Sequence, residues 1–136
     1  MITIEEGLKA YLTANIGLAA LVSGRVYPLH LPQTVTIPSL TFQRVSTPRV
    51  TTHDMSGSSG TAYPRFQFDA WGASPMEAKR VTDALRAALN GYRGTMGTAD
   101  PVTVQAALIV DEQVEFDQAV ELYRSRSDYT IWHLEG

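Results

Sequence analysis

The chain has 136 residues, 44% hydrophobic and 18% charged, with a net charge of -3 and no cysteine. That is enough chain for one domain with its own core, and the lack of cysteine excludes disulfides, thiolate metal sites and thiol nucleophiles, as suits a protein made in a reducing cytoplasm. The acidic balance argues against general binding to a phosphate backbone, and no apolar run has the length to span a bilayer or the flanks of a secretory signal.

Thr3 and Glu6 have the spacing of a capping box, and Ile4, Leu8, Tyr11 and Leu12 then share one helical face, which predicts a helix to about Thr13. Asn15 caps a short second helix carrying Ile16, Leu18, Leu21 and Val22, and Ser23-Gly24 ends it. Arg25-Val26-Tyr27 reads as a short strand that Pro28 and Pro32 confine to an edge. The chain is then irregular as far as Ile37. From Ser39 to Val45, dense β-formers with Leu40 and Phe42 on one side predict a strand. Residues Ser46 to Ala62 are rich in Thr, Ser and Gly and carry few apolar side chains to offset the entropy of ordering them. A loop this long is either an arm that orders on a partner, with Arg49, His53, Asp54 and Met55 as its contacts, or an idle hairpin tip.

Arg65 to Gly91 is the most fully punctuated stretch. Phe66, Phe68 and Ala70 alternate with Gln67, Asp69 and Trp71 as in a half-buried strand. Ser74, Pro75 and Glu77 then open a helix with a cap, a first-turn proline and a capping box. Ala78, Val81, Leu85, Ala88 and Leu89 form its apolar stripe, and Asn90-Gly91 ends it. Glycines at 91, 94 and 97 do not form a phosphate cradle, because no Lys-Ser/Thr pair follows them. Val102 to Val110 is a predicted strand with Val104, Ala106, Leu108 and Val110 on one side, and it is followed by an acidic turn. Glu121 to Leu134 is a long strand with Arg124, Arg126 and Asp128 on one side and Tyr123, Ser125, Ser127, Tyr129 and Ile131 on the other. There are no repeats or linkers. The expected fold class is therefore α+β: a single mixed, largely antiparallel sheet with helices packed mainly on one face.

No constellation of catalytic residues emerges. His30, His53 and His133 lack the i+3 or i+4 partners of a metal site, and Gly57-Ser58-Ser59-Gly60 is not a nucleophile elbow. Asp54 beside His53 lies in a loop too loose for catalytic geometry, and Asp69 is expected to pair with an arginine across the sheet. Trp71 and Trp132 are expected in or at the rim of the core. No cofactor or metal is expected. Only Lys9 and Lys79 are lysines, the other basic residues being arginines, which suits protein interfaces and equally a genomic bias. From Asp100 through Asp111, Glu112, Glu115 and Asp117 to Glu121 there is no basic residue, a pattern more often found on plain solvated surface.

Leu18 to Pro28, Ile37 to Val45, Pro64 to Trp71, the capped helix to Gly91 and Tyr123 to His133, in this order and spacing, resemble the tail-completion or tail-terminator proteins of long-tailed phages and phage-derived gene-transfer particles. The resemblance implies a structural virion protein with no active site, made in the host cytoplasm and placed between tail and head. Its members form a hexameric ring that caps the tail tube, stops its growth and docks the head connector, with DNA passing through transiently. On this reading the partners are further copies of the chain, the tube protein and the connector or stopper protein, with no membrane. Ring closure needs two different patches on each subunit, here expected at the edge near Val26 and at Arg124 and Arg126, with the 46–62 loop as an axial contact. The acidic run would repel DNA if it lined the channel, and equally suits an outer wall. The alternative is a small oligomeric α+β module that binds a ligand or partner between subunits, and an enzyme is the third reading.

Overall fold

The computed structural model describes residues 2–32, 36–50, 60–119 and 121–135. Helix α1 (Ile4–Ala14) opens on the capping box expected of Thr3 and Glu6: the Glu6 amide donates to Thr3 Oγ1 at 3.1 Å and the Thr3 amide to Glu6 Oε1 at 3.2 Å. Helix α2 (Ile16–Val22) is capped by the Asn15 side chain, which accepts from the Leu18 amide. The strands follow as β1 (Val26–Pro28), β2 (Ser39–Ser46), β3 (Arg49–Val50), β4 (Gly60–Ala62) and β5 (Arg65–Gly72). Helix α3 (Pro75–Leu89) comes next, then β6 (Gly94–Met96), β7 (Val102–Asp117) and β8 (Leu122–Glu135).

Strand β8 is the spine of the sheet. One of its edges holds β5, from Arg65↔Thr130 to Gly72↔Tyr123, and beyond it β4, while the other edge is paired with β7 along nearly its whole length. Outside β5 lies antiparallel β2, and β1 runs parallel to β2 at the end of the sheet. The architecture is the mixed, mostly antiparallel sheet expected, with the helices on one face. Phe42, Phe66, Phe68, Tyr129 and Ile131 from the sheet and Leu8, Leu12, Val81, Leu85 and Leu89 from the helices are all fully or almost fully buried in one core. Phe68 sits at its centre, stacked on Phe42 at 5.8 Å and edge-on to Tyr129 at 5.4 Å.

Three local expectations change. The acidic segment after Val110 is no turn: β7 continues to Asp117 and pairs with β8 through Val114↔Ser125 and Phe116↔Tyr123. Bulges between Val104 and Ala106 and between Ile109 and Asp111 each shift the register by one residue, so the core side takes Val102 and Val104, then Ala107 and Ile109, then even positions from Glu112. Leu108 and Val110 are exposed and do not join Val104 as expected. A reading that demands unbroken alternation therefore stops at Val110. Part of the loop expected over 46–62 is strand, because Arg49↔Ala62 and Val50↔Thr61 pair β3 with β4, and 51–59 lie outside the described residues. Finally, Gly94–Met96 forms the short strand β6 against β7. Gly91, at φ 80°, ends α3 as expected, and its amide donates to the Ala107 carbonyl at 2.6 Å, tying the helix end to the edge of β7.

Candidate assembly surface

The face of the sheet turned away from the helices carries the candidate residues of the long strand. Alternation along β5, β8 and β7 places Asp69 and Trp71, Arg124 and Arg126, and Glu115 and Asp117 side by side on it. Arg124 Nη2 lies 2.8 Å from Glu115 Oε2 and its Nη1 3.8 Å from Asp117, and its guanidinium stands 5.5 Å from the centre of the Trp71 ring. Arg126 reaches Asp69 at 3.3 Å, the cross-sheet pairing expected of that carboxylate, and Glu115 at 3.7 Å. Further along, Arg65 Nη2 meets Asp128 at 2.6 Å. Trp71 is buried and donates from Nε1 to Thr41 Oγ1 at 3.0 Å. Burial raises the Asp69 carboxyl above its ordinary range, with Arg126 drawing it back.

Arg124 and Arg126 thus sit on an interior strand, partly exposed and already engaged with acids of their own subunit. Leu29, His30 and Leu31 overhang part of this lattice, leaving a cleft of about 380 Å³ lined by Thr41, Asp69, Trp71 and both arginines. The acidic run divides between the two faces. Glu112 turns to the helix side and meets Lys79 at 3.3 Å and Arg86 at 3.4 Å, whereas Asp111 is exposed and accepts from the Glu112 amide at 2.8 Å. Arg49 pairs with Glu135 at 2.9 Å across the β3–β4–β8 corner. His53, Asp54 and Met55 lie outside the described residues.

The sequence profile of the tail completion protein gp17 family matches residues 6–134. The chain belongs to that family. It is accordingly a structural protein of the virion tail. A chain in the solved virion of a native gene transfer agent particle covers the whole of this chain and is covered wholly by it, at 18% identity and a TM-score of 0.64, so the two share a fold. No curated protein matches the sequence. No helix among the described residues is long and apolar enough to cross a membrane.

One open edge of the sheet went unread in the sequence of this tail completion protein: the outer edge of β7. Strand β6 covers that edge from Val102 to Val104, and the Asn90–Gly91 turn bonds to Ala107 and to the Ile109 amide. Beyond Ile109 no strand of the described residues pairs with it. The available signal was the alternation of Val114 and Phe116 with Gln113 and Glu115, hidden behind the bulge.

Burial of His133 is expected to make the stability of the fold depend on pH. The His133 side chain packs near Ile4 and Val102, with Glu5, Arg44 and Glu135 around the same hollow, and its Nδ1 lies 3.0 Å from the Leu134 carbonyl. Burial lowers its pKa, outweighing the raising effect of that hydrogen bond and of Glu135. Since the unfolded chain binds the proton more readily, stability is full above the ordinary histidine pKa and is lost as pH falls below it. Thermal melts at pH 7.5 and 5.2 should show a larger fall in Tm for the native protein than for His133→Gln; equal falls would show that this imidazole is not coupled to folding.

Proposed function

We propose that the protein forms a hexameric ring that caps the finished tail tube, ends its polymerisation and presents a docking surface to the head connector or stopper, with DNA passing through the ring. The observation that carries this reading is the match to the tail completion family across nearly the whole chain. The fold suits it: a stiff sheet backed by helices on one side is a rigid building block, and the sheet ends on unlike strands, β1 and β3 on one side of β8 and β6 with the open part of β7 on the other, as a ring with unlike contacting patches requires. Its work on this reading is recognition between proteins, with no chemical step. DNA contact is limited to passage, in keeping with a net negative chain.

The acids at 111–117 enter this reading in a changed form. Glu112, Glu115 and Asp117 are held by Lys79, Arg86 and Arg124, so a channel lined by them would present a lattice of paired charges instead of a bare acidic wall. Electron microscopy of tail tubes mixed with the purified protein tests the proposal. Added density with six-fold symmetry at one tube end is the expected result, and binding along the tube wall or to neither end would overturn it.

A further inference from the structure

The two ends of the sheet differ in charge and share exposed apolar side chains. Residues 25–46, which include β1 and β2, contain Arg25 and Arg44 and no Asp or Glu, with Arg44 paired to Glu5 of α1 at 2.8 Å. Residues 94–123, which include β6 and β7, contain six acids and no Lys or Arg. The strand order puts these stretches at opposite ends of one sheet. Of the nine large apolar residues exposed among the described residues, six lie there: Leu29 and Val45 at the β1–β2 end, and Leu108, Val110, Val114 and Phe116 on β7.

Both ends also leave main chain open. Among the described residues, the outer edge of β7 beyond Ile109 has no partner strand, nor does β2 beyond Phe42, where β1 stops, or β1 itself on its outer side. The β7 edge from 110 to 117 has none of the proline or lysine that usually blocks an exposed strand. The charges left over also match. Asp111 has no cationic partner among the described residues, and Arg25 uses its guanidinium on the carbonyls of Pro38 and Leu21 with no carboxylate opposite.

From these features we infer that the outer edge of β7 is one half of the contact between copies of this chain, and that its other half is the β1–β2 edge of the next copy. This deepens the ring reading and rests on it. Pairing β7 with β7 across a two-fold axis would set Asp111, Glu115 and Asp117 against the same acids, which is unfavourable for directly opposed like charges. Pairing with the β1–β2 edge instead brings Asp111 to the end of the sheet that carries Arg25, and extends the sheet from one subunit into the next. Such a contact joins unlike patches, so each copy keeps one edge free for a further copy until the ring closes.

Because the chain has no cysteine, paired cysteines report this contact directly. A variant carrying Gln113→Cys and Leu29→Cys, both positions exposed, is bound to tail tubes and treated with a short bismaleimide. Glutaraldehyde on a parallel sample reports any oligomer whatever its interface. The expected result is a bismaleimide ladder beyond the dimer for the double variant and monomer for each single variant. Dimer from Gln113→Cys alone, or a glutaraldehyde oligomer without the ladder, overturns the edge contact and leaves the ring standing. Monomer with both reagents removes ring and edge together. Val114→Lys gives a second readout, with an expected loss of at least about tenfold in tube-end occupancy at an unchanged Tm, while Ile16→Lys, at a fully exposed helix position away from both edges, leaves occupancy intact. Equal occupancy for the two variants would count against the edge.

Discussion

Phe68→Ala is expected to lower the melting temperature by roughly 10–20 °C. Phe68 has no exposed surface and touches the rings of Phe42, Phe66 and Tyr129, so removing it opens a cavity where three strands meet beneath the helices. Phe→Ala at such a site costs about 3–5 kcal/mol, and for a domain of this size each kcal/mol moves Tm by a few degrees. Circular dichroism melts of native and variant protein measure it. A fall of only one or two degrees would mean that the sheet and helices are not held by this aromatic cluster.

Gly72→Ala is the second. Gly72 closes β5 directly beneath the first turn of α3, and a Cβ there would stand 2.8 Å from the Ala78 backbone nitrogen and 3.1 Å from Glu77 Cβ. Since the nearest atom is main chain, the helix has to lift from the strand, at a cost of about 1–3 kcal/mol by the usual scale for overpacking. The sign separates this from an ordinary glycine replacement. Gly17, exposed in α2, has only Asn15 Oδ1 within reach of a new Cβ, and Gly17→Ala should stabilise by about 0.5–1 kcal/mol through helix propensity. Urea titrations that moved both variants in the same direction would refute the close strand–helix contact. Because α3 supplies Lys79 and Arg86 to Glu112, lifting it should also loosen the far half of β7.

Much of this was legible in the sequence, and the failures have specific causes. The capping box at Thr3, the Ser74 cap, the alternation through Phe66 and Phe68 and the helical stripe ending at Leu89 are local patterns that local physics wrote directly into the structure, although the Glu77 carboxylate expected to complete a box with Ser74 accepts from the Ala73 amide. The Asp69–Arg126 pair was also readable, because both residues lie on one face of neighbouring strands. The outer half of β7 was not, since the bulge after Ile109 shifts the alternation and an acidic stretch with no bases resembles solvated loop. Its cations come from elsewhere in the chain: Arg124 from β8, and Lys79 and Arg86 from α3. A linear charge count misses partners supplied by tertiary contact. For the same reason Arg124 and Arg126, conspicuous in sequence as candidate contacts, are engaged within the subunit, while the open strand edge beside them read as an acidic turn.

Tube growth tests the central claim most directly. Tail-tube protein polymerising from a baseplate or tape-measure complex is followed by electron microscopy, with the purified chain added part-way. Tube lengths should freeze at the moment of addition, each tube carrying one cap, and the Val114→Lys variant should leave elongation running. Tubes that lengthen at an unchanged rate with saturating native protein would contradict the role of tail terminator.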